Sequence, residues 1–118
     1  MLGGLIELAH ATGYDLRIEQ ARIPLAAEAR AACEVFAIDP YWALSEGTLI
    51  ATVRPERVVE AVASLAEAGI PAAVVGEVVR GSGKLWLTPL AGDVVTLEKP
   101  EPDPYWPAYS RAVREGWS

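Results

Sequence analysis

The period of hydrophobic and polar positions changes several times along this chain, and each change marks an element. Leu5, Leu8, Ala9 and Thr12 recur at the spacing of one helical face, and Gly13 stands where a left-handed cap ends a helix. A helix is therefore predicted over 4–12. The next residues, Asp15-Leu16-Arg17-Ile18-Glu19, alternate instead, which turns Leu16 and Ile18 to a core and Arg17 and Glu19 to water, as in a half-buried strand. Helical period returns after Pro24, a residue suited to the first turn. Leu25, Ala29, Ala32, Cys33 and Phe36 then make one apolar stripe, so a second helix runs to about Phe36. Pro40 makes the stretch Ile38 to Trp42 a turn, followed by at most one helical turn.

Thr48-Leu49-Ile50-Ala51-Thr52-Val53 is rich in β-branched residues and predicts a second strand. Pro55 opens a third helix with Val58, Val62, Leu65 and Ala66 on its inner face and Gly69 just past its end. Residues 72–79 are almost continuously apolar, the look of a central strand covered on both sides. Gly81-Ser82-Gly83 turns the chain into a strand over 84–88, and Pro89 to Gly92 into a last strand over 94–97. Lys99-Pro100-Glu101-Pro102-Asp103-Pro104 is too proline-dense for a helix or a central strand and is read as extended, before a short helix from Tyr105 to Glu115. The expected architecture is α+β, a layered domain with helices packed on a mixed sheet over residues 1–99, then a proline-rich tail with a short aromatic helix over 100–118.

A chain of 118 residues holds one core. Its formal charge of −6 repels phosphate backbones, which argues against a nucleic-acid partner. The single cysteine and single histidine provide neither an internal disulfide nor a zinc set, so no metal is expected on this chain and a reducing, cytoplasmic setting is expected. No apolar run reaches the roughly 18 residues of a membrane span, and the first residues have no signal-peptide pattern.

Four places carry candidate chemistry. Gly3-Gly4 ahead of a helix allows close backbone approach to a phosphate, or is simply a flexible start; neither GxGxxG nor GxxxxGK[ST] occurs. Ser45-Glu46-Gly47 places a carboxylate in a turn, where it serves as a general base facing a cleft or merely shapes the turn with Gly47 at positive φ. Glu77, within the apolar run that follows Gly76, must be paired, lie at an edge, or have a raised pKa, with Arg80 and Lys84 as possible partners. The aromatics Tyr105, Trp106, Tyr109 and Trp117 call for packing on the sheet or on another subunit. Cys33 reads as a small core residue and His10 as a solvated or interface side chain.

The order of these motifs carries a resemblance. Gly3-Gly4-Leu5 with a helix and "ATG", then "IPLAAEARAACEVFAIDPYWALSEGTLIATVRPE", then "AGIPAAVVGEVV", resembles the C-terminal domain of the aminoimidazole ribonucleotide (AIR) synthetase superfamily, and within it the HypE group of hydrogenase maturation proteins. The resemblance covers residues 3–88. It implies one half of a two-domain enzyme that uses ATP and Mg, in which an N-terminal half binds the nucleotide and metal and this half closes over the cleft. It implies Glu46 as the candidate base, with Gly47 shaping its turn, and a weaker role for Glu77 beside Gly76. It further implies that Gly3 and Gly4 lie near phosphates once an ATP-binding half or homologous chain is present. Homo-oligomers and hydrogenase maturation proteins are the other expected partners. Proteins of the HypE group carry a carbamoyl group on a C-terminal cysteine, whereas this sequence ends Glu115-Gly116-Trp117-Ser118, so the isolated chain is expected not to be active in that way.

Overall fold

The computed structural model describes residues 1–117. Its order is α1 (Leu2–Thr12), β1 (Asp15–Glu19), α2 (Ala27–Val35), α3 (Val58–Glu67), β2 (Gly76–Val79), β3 (Leu85–Thr88), β4 (Val95–Leu97) and α4 (Tyr105–Arg114). Single 3-10 turns lie at Gln20–Arg22 and Pro55–Arg57. The fold is α+β with a four-stranded mixed sheet in the order β2-β1-β3-β4. β1 pairs antiparallel with β2 and parallel with β3, and β3 pairs antiparallel with β4.

The alternation read from β1 sets the two sides of this sheet. Leu16 and Ile18 are buried, and the register places them beside Leu85 and Leu87 of β3, which are buried too. This apolar face meets Leu2, Leu5, Ile6 and Ala9 of α1, and Ile23 and Tyr41 close the same core. Gly13 ends α1 in the left-handed conformation, its N–H donating to the Ala9 carbonyl at 2.9 Å. The helix is two residues longer at its start than the spacing suggested, because Leu2 is itself a core residue and ties the first turn down.

Three expectations are corrected. Residues 48–53 form no strand and Leu49 is 83% exposed: β-propensity describes a fit to a half-buried pleated surface, and here the stretch has no neighbouring strand to supply one. The run 72–79 is a strand only over Gly76–Val79, and it is the sheet's edge rather than a strand covered on both sides. Neither α2 nor α3 has a fully buried residue: of the second stripe only Leu25, ahead of α2, packs against the core, and Val58, Val62 and Leu65 of α3 are half-buried; Cys33 is half-buried, not a core side chain, and α2 starts at Ala27, three residues after Pro24. The Cα radius of gyration, 16.0 Å, exceeds the roughly 13–14 Å of a compact chain of this length.

Candidate functional site

The first turn of α1 is held by the stretch that carries Glu46. Met1 N donates to the Tyr41 and Ala43 carbonyls at 3.1 and 3.2 Å, and Leu2 N donates to Tyr41 O at 3.0 Å. Asp39 Oδ1 accepts from Tyr41 N at 2.9 Å and so fixes the turn that presents those carbonyls. Gly3 and Gly4 lie inside α1, not ahead of it. A Cβ on Gly4 would stand 3.2 Å from Ile50 Cδ1, so this glycine lets the segment at Ile50 lie close against the helix, whereas one on Gly3 would make only ordinary contact with Pro100 Cβ at 3.7 Å. Their own N–H groups belong to the first turn, where no preceding helical carbonyl exists to accept them.

Glu46 is exposed in a turn in which Thr48 N donates to Ser45 O at 3.3 Å, with Gly47 at φ 81°. Ala43 and Ile50 on either side of that turn both touch the start of α1. The flanks of the turn thus meet the start of α1, while Glu46 and Gly47 themselves stand exposed, with nothing within 4 Å of a Cβ on Gly47.

Glu77 and Gly76 lie elsewhere, on the edge strand. Glu77 Oε1 is 3.6 Å from Arg17 Nη1 across the β1–β2 register, with both side chains about two thirds exposed. The partner is neither Arg80 nor Lys84; Lys84 Nζ instead meets Glu98 Oε1 at 3.0 Å. Period two explains the choice: Arg17 and Glu77 are directly opposed, so they share the face of the sheet that α1 does not cover. Gly76 is required by proximity, because a Cβ there would run into the Arg17 carbonyl. His10 is exposed on α1.

Sequence reading missed the most tightly held charge. Asp15 is buried at the start of β1, where Oδ1 accepts from Ser82 N at 2.7 Å and Lys84 N at 2.9 Å, and Oδ2 accepts from Trp86 Nε1 at 2.9 Å. These donors hold its carboxyl at about 2, below the ordinary value of 3.8; the Lys84 N–H contributes most, then the Trp86 indole and the Ser82 N–H, against an opposing effect of burial. The carboxylate fills the concave side of the Gly81–Lys84 turn, and a Cβ on Gly81 would overlap it. Asp at the head of a strand together with a distant Gly-Ser-Gly turn was the available signal. Nothing in one sequence says that those two stretches, 67 residues apart, adjoin.

Among the described residues no group of three or more His, Cys, Asp or Glu side chains could hold a metal ion. Among the described residues no helix is long and apolar enough to cross a membrane.

Residues 1–87 match the family described as AIR synthase related protein, C-terminal domain. The carbamoyl dehydratase HypE of Azotobacter vinelandii is 38% identical over 78 residues, which are 64% of this chain and 23% of that protein. HypE of Rhizobium leguminosarum bv. viciae is also 38% identical, over 64% of this chain and 22% of its own length. The hydrogenase expression/formation protein HupE of Azotobacter chroococcum is 37% identical over the same share of this chain. The chain spans less than a quarter of the length of these relatives.

Proposed function

The chain belongs to the family AIR synthase related protein, C-terminal domain, and from that membership we propose that it forms the substrate-side part of a HypE-like, ATP-dependent enzyme of hydrogenase maturation, with nucleotide and Mg held by an ATP-binding half outside this chain. The observation that carries the reading is the apolar surface left without a core. Leu44, Leu49, Val59 and Ile70 are each at least half exposed, the stripes of α2 and α3 are at most half-buried, and relatives of this sequence are more than four times as long as the stretch they share with it. A covering domain would take these apolar side chains out of water, which is favourable.

In this reading the start of α1 faces the nucleotide's phosphates. Gly3 and Gly4 offer two N–H donors at the positive end of the helix. Glu46, on the exposed turn between Ala43 and Ile50, takes a proton from the substrate; an exposed carboxylate suits the role once a second domain covers it and excludes water. The relatives named carbamoyl dehydratase set the substrate class we propose for the assembled enzyme, a carbamoyl group carried on a cysteine thiol and dehydrated toward cyanide. ATP supplies the activation of the leaving oxygen. Cys33 on α2 has no place in that chemistry.

The test is reconstitution. Titration calorimetry of this chain alone with ATP and Mg gives no tight binding, and adding the ATP-binding half of a HypE relative yields ATP-dependent dehydration that Glu46→Gln abolishes without altering complex formation. Tight ATP binding by the isolated chain, or undiminished dehydration by the Glu46→Gln complex, overturns the assignment. A second reading, a free-standing oligomerisation or partner-docking module, is favoured by the exposed aromatics of α4.

A further inference from the structure

Both faces of α4 are apolar. Its inner face is used: Ala108 is buried, Ala112 is half-buried, and Arg111 Nη2 donates to the Phe36 carbonyl at 2.8 Å, while Trp117 beyond the helix end packs on the Phe36 ring at 5.6 Å. The outer face is not. Tyr105, Tyr109 and Val113 follow one another at four-residue spacing and are 48%, 51% and 52% exposed, and Trp106 beside them is 63% exposed. Helical residues spaced by four form a ridge. This one is already ordered: the Tyr105 and Tyr109 rings stack at 5.8 Å and 20°, and Trp106 meets both edge-on at 76° and 86°. Rigid aromatic surface loses little conformational entropy when covered, which is why such side chains anchor interfaces.

We propose that this ridge pairs antiparallel with the same ridge of a second copy of this chain, about a two-fold axis at Tyr109. Ridges spaced by four interdigitate with one another, so a single helix face can serve both copies. Tyr105 of each copy then lies opposite Val113 of the other. Charge selects this direction. Glu101 and Asp103 precede the helix, while Arg111, Arg114 and Glu115 at its other end leave a net positive charge, with Arg111 turned to the Phe36 carbonyl on the inner face. Antiparallel copies set the acidic end of one beside the basic end of the other, and parallel copies would set like beside like. The helix dipoles favour the same direction. Half-exposed aromatics of this size offer on the order of 500 Å² per copy, about 1,000 Å² for the pair, at the lower limit for a specific interface. The dimer is accordingly weak and forms at high micromolar concentration. The ridge lies outside the matched residues 1–87, so the pairing stands independently of the assignment to a HypE-like enzyme.

Light scattering over a concentration series tests the pairing, together with cysteine cross-linking in a Cys33→Ser background. The mass is expected to double at high concentration, and Trp106→Ser/Tyr109→Ser is expected to remain monomeric with unchanged circular dichroism. Tyr109→Cys is expected to oxidise to a linked dimer, and Tyr105→Cys and Val113→Cys to link to each other but not to themselves. A monomer at every concentration, a dimer that survives the double substitution, or Tyr105→Cys linking to itself overturns the proposal.

Discussion

Replacing Gly76 by alanine isolates one steric contact. The backbone there is not in the left-handed region, so on conformational grounds alone alanine should stabilise the protein by about 0.4–1 kcal/mol through a stiffer unfolded chain. The structure gives the opposite sign. Glu19 N donates to Val75 O at 2.9 Å, which makes the adjacent Ile18–Gly76 pair the close, non-hydrogen-bonded kind. A Cβ on Gly76 strikes the Arg17 carbonyl oxygen and stands 2.9 Å from both the carbonyl carbon and Ile18 Cδ1. Ordinary carbon contacts need about 3.5–4.0 Å, so β2 must move by about 1 Å. β1 cannot yield, because its other edge is paired to β3. The end of β2 therefore lifts. Overpacking of this sort costs about 1–3 kcal/mol, and each backbone bond lost costs about 1 kcal/mol more. The net destabilisation is about 2–4 kcal/mol, a fall in Tm on the order of 10–15 °C for a domain of this size. Gly92→Ala is the control, since Gly92 has φ 93° and no neighbour within 4 Å; it costs about 1–2 kcal/mol from backbone strain alone. Urea unfolding followed by circular dichroism measures both. Gly76→Ala within about 0.5 kcal/mol of the parent, or less harmful than Gly92→Ala, would refute the steric argument.

Three further outcomes follow from the same contacts. Asp15 has a folded pKa of about 2, below the ordinary 3.8, so the unfolded chain binds the proton more readily. Its stabilising effect is complete above the ordinary value and is lost as pH falls through about 2; Asp15→Asn should lower stability at neutral pH and flatten the acid limb of a stability-against-pH curve in that window. Leu85→Ala removes a side chain that is 0% exposed at the centre of the core and should cost about 2–5 kcal/mol in a urea titration. Glu77→Gln breaks only the exposed 3.6 Å pair with Arg17, and a change in stability beyond about 1 kcal/mol would show that the edge pair matters more than its exposure allows.

Much of the candidate site could be read in the sequence as residue types but not as an arrangement. The turn at Ser45-Glu46-Gly47 was readable because Gly47 meets a local demand for positive φ. Its position against the start of α1 was not, since that rests on contacts between Met1 and Ala43 and between Gly4 and Ile50. Glu77 was readable as a charge in an apolar run, while its partner Arg17 lies 60 positions away and is set by strand register.

By itself the sequence determined the elements whose reasons are local. The period of Leu5, Ala9 and Gly13 determined α1, alternation determined β1, and the Gly-Ser-Gly turn with its flanks determined the step into β3. It also determined the family, because motif order survives in the primary structure. Tertiary structure alone decided which strand-like stretches find a neighbour. Gly76–Val79 pairs because β1 offers it an open edge, and Thr48–Val53 stays unpaired although its β-propensity is no lower. It decided, too, that Asp15 would be the best-bound charge in the molecule. A strand's backbone groups and a carboxylate's lone pairs are satisfied only by whatever the rest of the chain brings to them, and that depends on contacts between distant residues that no local pattern encodes.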